Sequence, residues 1–324
     1  MKEVMLARGA LKLAEVNGRV KTGESVLVIT DYNTTAIAER VAQAAASLGG
    51  NVVTTVMPPR KLHGEEPPST IAAAMREADL IFIPVSISIT HTRAVKDALA
   101  SRARILAMSD WSDEMFLSPA LLETDFQAQA EVCRGLGRAF TEGVNFHLTS
   151  PRGTDLRFEA GGRKANVMTN IPDPGEISPV PTIEVNVPPI EGSAEGTLVV
   201  DASIPYLGIG SLKEPFTCTI EKGLIKEISG GDESVKILQD AIAAHNDPNC
   251  WNIAELGVGL NPGASMTGRM LEDEGVLNTI HIGIGTSLML GGTLKAATHY
   301  DLIMWDPVIE IDGKVVQRGL DILV

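Results

Sequence analysis

Cysteine is scarce in this chain. Cys133, Cys218 and Cys250 are the only three among 324 residues. The number is odd and none has metal-knuckle spacing. That excludes a disulfide scaffold and predicts reduced thiols in a cytoplasmic protein. Long apolar runs are also missing, so no transmembrane helix is expected. The opening Met1-Lys2-Glu3-Val4-Met5 alternates charge with apolar residues, unlike a signal peptide. Basic residues are outnumbered, 27 Lys and Arg against 41 Asp and Glu, for a formal charge of −14. This disfavours nucleic acid and anionic membranes as partners. A small-molecule or peptide substrate is the expected partner. Neither GxGxxG nor GxxxxGK[ST] occurs, so no dinucleotide or nucleoside triphosphate site is expected. The spacing lacks any paired CxxC or HExxH.

What is present is a chain long enough for two domains. Residues 3–16 show helical spacing. Residues 26–29 form a continuous apolar run, as in a buried parallel strand. Thr34 or Thr35 can cap a helix over 36–48 that ends at Gly49-Gly50, and residues 52–56 form the next strand. This β-α-β unit repeats through a helix capped by Ser69 and running to residue 78, a strand over 80–85, a helix over 92–101 and a strand over 105–108. A mostly helical stretch over 119–143 closes an N-terminal parallel-sheet α/β domain, 1–143. From 144 to 324 short alternating segments between Gly and Pro turns predict a β-rich α+β domain. Hairpins are expected around Glu221-Lys-Gly223 and over 309–316.

The chemistry concentrates late in the chain. Glu255 lies within Ala254-Glu255-Leu256, and His281 within Ile280-His281-Ile282. His299 and Asp301, two apart, point to one face of an extended strand. Carboxylates and imidazoles flanked by apolar residues are costly to bury alone. A shared divalent metal would compensate that cost, and four such groups within 47 residues favour it over scattered surface polarity. Glu176 sits in a stiff loop, Asn170-Ile-Pro-Asp-Pro-Gly-Glu176, which suits a fixed ligand or an ordinary surface turn. Glu272, Asp273 and Glu274 form an acidic turn. In the first domain, Ser88-Ile-Thr-His91-Thr92-Arg93 follows a strand, where α/β folds place functional groups. His91 could serve as a base or substrate contact and Arg93 could hold a carboxylate; a plain loop histidine near a helix cap is the alternative.

The succession Pro172…Gly-Glu176-Ile, Glu255-Leu-Gly-Val-Gly, His281-Ile-Gly-Ile-Gly and His299-Tyr-Asp301 resembles the thermophilic aminopeptidase (aminopeptidase T, M29) family. Gly23-Glu-Ser-Val-Leu, His91-Thr-Arg and Gly153-Thr-Asp-Leu-Arg157 fit the same resemblance. It implies a homodimeric metallo-aminopeptidase with one or two zinc, cobalt or manganese ions, held by Glu176, Glu255, His281, His299 and Asp301. A tyrosine ligand is also implied seven residues after His281, where this chain has Leu288. Tyr300, next to His299, points to the opposite strand face. On this reading, metal-activated water cleaves an amide or peptide bond, with Glu255, Glu274 or Glu176 as general base, His91 as a further catalytic candidate, and His91 and Arg93 as substrate contacts.

The chain also resembles the 2,5-dihydroxypyridine dioxygenases, which imply one ferrous iron on two histidines and a carboxylate. His281, His299 and Asp301 supply those residue types. A non-catalytic metal- or ligand-binding protein is the third expectation.

Overall fold

The structure, a computed structural model, describes residues 2–324. It divides into two compact units. The first is Met1–Ala130 with Met168–Pro181, and the second is Glu131–Val167 with Thr182–Val324.

The first unit is built on a parallel sheet. Strands β1 (Ser25–Asp31), β2 (Asn51–Met57), β3 (Leu80–Val85) and β4 (Arg104–Ser109) lie in the order β2-β1-β3-β4. A short strand, Ile177–Pro179, extends the sheet by pairing parallel to β4. All six residues of β3 are buried, as a continuous apolar run in a parallel sheet requires. Helix α1 (Lys2–Lys12) precedes the sheet, and α2 (Thr35–Ser47) connects β1 to β2. The buried residues of α2, Ile37, Ala38, Val41, Ala44 and Ala45, follow the helical repeat on one face. Each fully buried Ile or Val contributes about 1.5–3 kcal/mol by leaving water. Helices α3 (Ser69–Arg76) and α4 (Arg93–Ala100) pack with the sheet around Ile81, Ile83, Val85 and Ile105.

Two expected caps differ from the sequence reading. Thr34 stands at the N-cap of α2, but its hydroxyl donates to the Pro84 carbonyl at 2.8 Å and makes no capping bond. Pro68, not Ser69, occupies the N-cap of α3. Thr92 does cap α4, accepting from the Val95 N–H.

The second unit holds two antiparallel sheets. One contains the hairpin of Phe216–Glu221 with Leu224–Gly230 and the hairpin of Val308–Ile311 with Lys314–Arg318. Both turn through two residues of positive φ, Lys222-Gly223 and Asp312-Gly313, the geometry that matches strand twist. The other sheet runs Gly210–Ser211, Ser203–Ile204, His299–Trp305, Thr279–Gly285, Ile253–Gly259, Glu184–Val187 and Asn166–Met168. Its three longest strands are almost wholly buried, and they carry the candidate site. No helix among the described residues is long and apolar enough to cross a membrane.

Candidate metal centre

Strand register decides which side chains meet. In the antiparallel pairing, Gly257 faces His281 and Glu255 faces Gly283, while Gly283 also faces Asp301 and Gly285 faces His299. One strand further, Gly259 faces Glu184. Each polar side chain thus stands opposite a glycine on a neighbouring strand. The glycines make room: a Cβ on Gly257 would sit 2.0 Å from His281 Nε2, and one on Gly283 would sit 2.7 Å from His299 Nε2. Such contacts are impossible, so the imidazoles lie over strand backbone that must stay bare.

The result is a chain of contacts across one sheet face. His281 Nε2 lies 3.5 Å from Glu184 Oε1 and 3.8 Å from Glu255 Oε1. The other Glu255 oxygen, Oε2, is 2.9 Å from His299 Nε2, which in turn lies 3.3 Å from Asp301 Oδ1. Two groups of donors have ligand atoms all within 4.8 Å of one another: Glu184, Glu255 and His281, and Glu255, His299 and Asp301. Glu255 belongs to both. Donors bound to one divalent ion at about 2.0–2.2 Å stand about 3–3.5 Å apart, close to these spacings.

Glu184, Glu255, His281 and Asp301 are each 1–4% exposed. Three buried carboxylates beside two imidazoles form a donor-rich face whose burial cost a cation would offset. Asp301 Oδ1 and His281 Nδ1 are buried and have no hydrogen-bond partner among the described residues. His299 Nδ1 is fixed by the Thr286 carbonyl at 2.9 Å. Its other nitrogen therefore faces the carboxylates, the arrangement of a metal-binding histidine. Glu184 is held by Asn186 Nδ2 at 2.6 Å, and Asn186 Oδ1 accepts from Asn166 Nδ2.

The titration behaviour follows from burial and charge. Burial pushes the Glu184 carboxyl up, against the pull of His281. Burial would also raise Glu255, but hydrogen bonds from His281 and His299 bring it below the usual range. Burial would lower both histidines, yet Glu184 beside His281 and Asp301 beside His299 raise them well above the ordinary value. Asp301 is lowered, its burial outweighed by His299. A metal bound by these groups would compete with protons for the same ligand atoms.

The structure brings together Glu255, His281, His299 and Asp301. It places Glu176 elsewhere: the residue is exposed in the first unit, and its Oε2 accepts from the Asp173 N–H of its own turn at 3.0 Å. Glu184 instead supplies a second glutamate beside Glu255 and His281. Its setting, Ile183-Glu184-Val185, shows the signal that marks Glu255 and His281, a lone ionisable group between apolar neighbours. Glu274 reaches the edge of the site, where the Tyr206 hydroxyl lies 3.0 Å from Glu274 Oε1 and 2.7 Å from Asp301 Oδ2. Burial and the nearby Asp301 hold the Glu274 carboxyl well above its usual range. Tyr206 lies in a glycine-rich turn without periodicity, so no sequence signal marks it. Leu288 is 45% exposed and has no ligand atom. Tyr300 packs against Tyr206, ring centroids 5.5 Å apart. His91 and Arg93 lie in the first unit, exposed, at the turn after β3 and the first residue of α4; the Arg93 Nε is 3.8 Å from Asp97.

Fold and site together define a two-unit protein whose antiparallel sheet carries a buried, metal-capable His and carboxylate face. A family model, NicX, 2,5-dihydroxypyridine 5,6-dioxygenase, matches residues 10–322, and the chain belongs to this family. A curated 2,5-dihydroxypyridine 5,6-dioxygenase from Pseudomonas putida KT2440 is 30% identical over 190 residues. That alignment covers 55% of this chain and 54% of the relative, so the chain spans about half the length of the curated protein it matches. Among solved structures, 2,5-dihydroxypyridine dioxygenase from the same organism superposes with a TM-score of 0.83 at 23% identity, covering 98% of this chain and 96% of that one. AmpT from Thermus thermophilus superposes with a TM-score of 0.67 at 16% identity over 100% of both chains. At these identities both structures speak for the fold.

These findings correct the peptidase expectation. The family match is to the dioxygenases, and the aminopeptidase likeness is one of fold. The hydrolase, aminopeptidase and metalloprotease readings fall with it, while a bound metal remains consistent with the donor set. The absent tyrosine ligand at Leu288 agrees with that correction.

Proposed function

We propose that the chain is a metal-dependent ring-cleaving dioxygenase that holds ferrous iron and acts on a hydroxylated N-heteroaromatic of the dihydroxypyridine class. The observation that carries this reading is the buried donor set on the glycine-lined sheet face, in a chain whose family match runs over residues 10–322. The nitrogen and oxygen donors fit a divalent first-row metal. Asp301 Oδ1 is buried without a hydrogen-bond partner among the described residues, which supports its role as a ligand atom.

His299, Asp301 and Glu255 form the tightest donor group around one position, and His281 joins it through the other oxygen of Glu255. This set is richer in carboxylate than the two-histidine, one-carboxylate triad expected from the sequence. Bound here, ferrous iron would activate dioxygen and anchor a substrate oxygen. The protein's own contribution is geometric and electrostatic. The Thr286 carbonyl holds the His299 ring with Nε2 inward. The Ile280, Ile282 and Ile284 side chains are fully buried and exclude water from the back of the sheet. Glu274, whose carboxyl is raised by burial and by Asp301, stands within hydrogen-bond reach of the Tyr206 hydroxyl.

The test is oxygen uptake by protein loaded anaerobically with ferrous iron and then given 2,5-dihydroxypyridine. The reading expects one dioxygen consumed per ring and a product heavier by both oxygen atoms. No oxygen uptake across a set of dihydroxypyridine isomers would contradict it.

A further inference from the structure

The two oxygens of Asp301 have different surroundings. Oδ2 accepts from the Tyr206 hydroxyl at 2.7 Å. Oδ1 is buried without a hydrogen-bond partner among the described residues, 3.3 Å from His299 Nε2. A free carboxylate can offer a metal either or both of its oxygens. Here one is already engaged.

The donor is held firmly. Tyr206 lies in the turn between the short strands Ser203–Ile204 and Gly210–Ser211, which pair with each other. Ser203 pairs with Ile303 on the strand that carries His299 and Asp301. The turn is tight: Leu207 and Gly208 have φ of 59° and 71°, and the Ile209 N–H donates to the Tyr206 carbonyl at 2.9 Å. The ring leans on Tyr300 at 5.5 Å and 58°. Glu274 Oε1 flanks the hydroxyl on its other side at 3.0 Å. The turn places the ring, the Tyr300 contact braces it, and Asp301 Oδ2 and Glu274 Oε1 orient its hydroxyl.

We propose that Tyr206 is a positioning residue for the metal: it engages Asp301 Oδ2 so that Asp301 presents Oδ1 alone. A single-oxygen aspartate leaves a coordination position that a chelating one would fill, and oxygen-activating sites need open positions. The inference rests on the metal-binding reading of the site and adds the residue that sets how one ligand binds.

Tyr206→Phe removes the hydroxyl and keeps the ring against Tyr300. Metal-free protein and variant are titrated with Co(II), and the visible d–d absorption is followed, with the melting temperature of each metal-free protein recorded. The expected result is an affinity about 10–100-fold weaker, the usual effect of removing an outer hydrogen bond to a ligand. The Co(II) band should also change shape or intensity, because the Asp301 binding mode changes. Equal affinity and an unchanged band would overturn the role of Tyr206 while leaving the metal site standing. Absence of any Co(II) band in the unaltered protein would overturn the metal reading itself, and this inference with it.

Discussion

Two strands of this protein are equally buried and serve opposite ends. In the first unit, β3 reads Leu80-Ile-Phe-Ile-Pro-Val85 and buries every residue. In the second, Thr279-Ile-His281-Ile-Gly-Ile-Gly285 buries every residue too. In β3 both faces are apolar and pack into the core. In the His281 strand only the isoleucine face is apolar; the other carries an imidazole and two glycines. The same degree of burial therefore marks a packing element in one sheet and a chemical one in the other. What separates them is whether polar atoms find partners. Asp31, at the end of β1, is fully buried, and its Oδ2 accepts from the Ser86 N–H and hydroxyl while its Oδ1 accepts from the Asn33 N–H. It is complete without a ligand. Asp301 keeps one oxygen without a hydrogen-bond partner among the described residues, with the His299 imidazole near it at 3.3 Å, and that difference marks it as a candidate metal ligand.

This contrast can be broken in a graded series. The largest effect is expected in the packing strand. Phe82→Ala should cost about 3–5 kcal/mol of folding stability, read from denaturant unfolding, and should leave metal content per folded chain unchanged. His299→Ala should do the reverse. It should lose about a hundredfold or more in metal affinity by calorimetry, with the circular dichroism of the fold retained. Gly257→Ala sharpens the point without touching a donor. Its new methyl would displace the His281 ring, so metal affinity should fall about tenfold or more, and unchanged binding would remove the glycine argument.

A smaller, pH-dependent effect is expected at Glu191. Burial alone would raise its carboxyl. The Thr293 N–H, the Ser287 hydroxyl and Arg163 outweigh that and hold it down at about 2. Glu191 thereby ties down the 286–294 loop, whose Thr286 carbonyl holds His299. A depressed carboxylate stabilises the fold above its unfolded value and ceases to do so as pH falls through its folded value. Glu191→Gln should therefore cost about 1–3 kcal/mol at neutral pH. The gap between variant and parent in thermal unfolding should shrink as pH falls from about 4.5 toward about 2. The smallest effect is expected from Glu176→Gln, whose side chain serves only its own turn: metal content should not change.

Much of this was legible in the sequence. The β-α-β repeat of the first unit follows from apolar runs and helical spacing. Glu255, His281, His299 and Asp301 stood out as ionisable groups among apolar neighbours. Glu184 shows the same pattern within Ile183-Glu184-Val185, but the glutamate of the proline loop drew the assignment away from it. Loop stiffness is a weaker signal than apolar flanking, because a stiff turn can satisfy its own acid, as Glu176 and the Asp173 N–H do. Tyr206 was not legible, since its place depends on a single residue pair, Ser203 with Ile303, on a strand about a hundred positions later. The return of Ile177–Pro179 to the first sheet was equally hidden, a three-residue strand having no period to read. The peptidase expectation came from motifs that sit on a fold shared with AmpT, and shared architecture does not fix the reaction.

The most direct test of the central claim is the metal content of protein purified without oxygen, chelator or added metal, measured by elemental analysis beside the Asp301→Ala variant. The account predicts iron bound to the parent chain and lost from the variant. A parent chain that holds no metal and takes up none when ferrous iron is titrated back would contradict it.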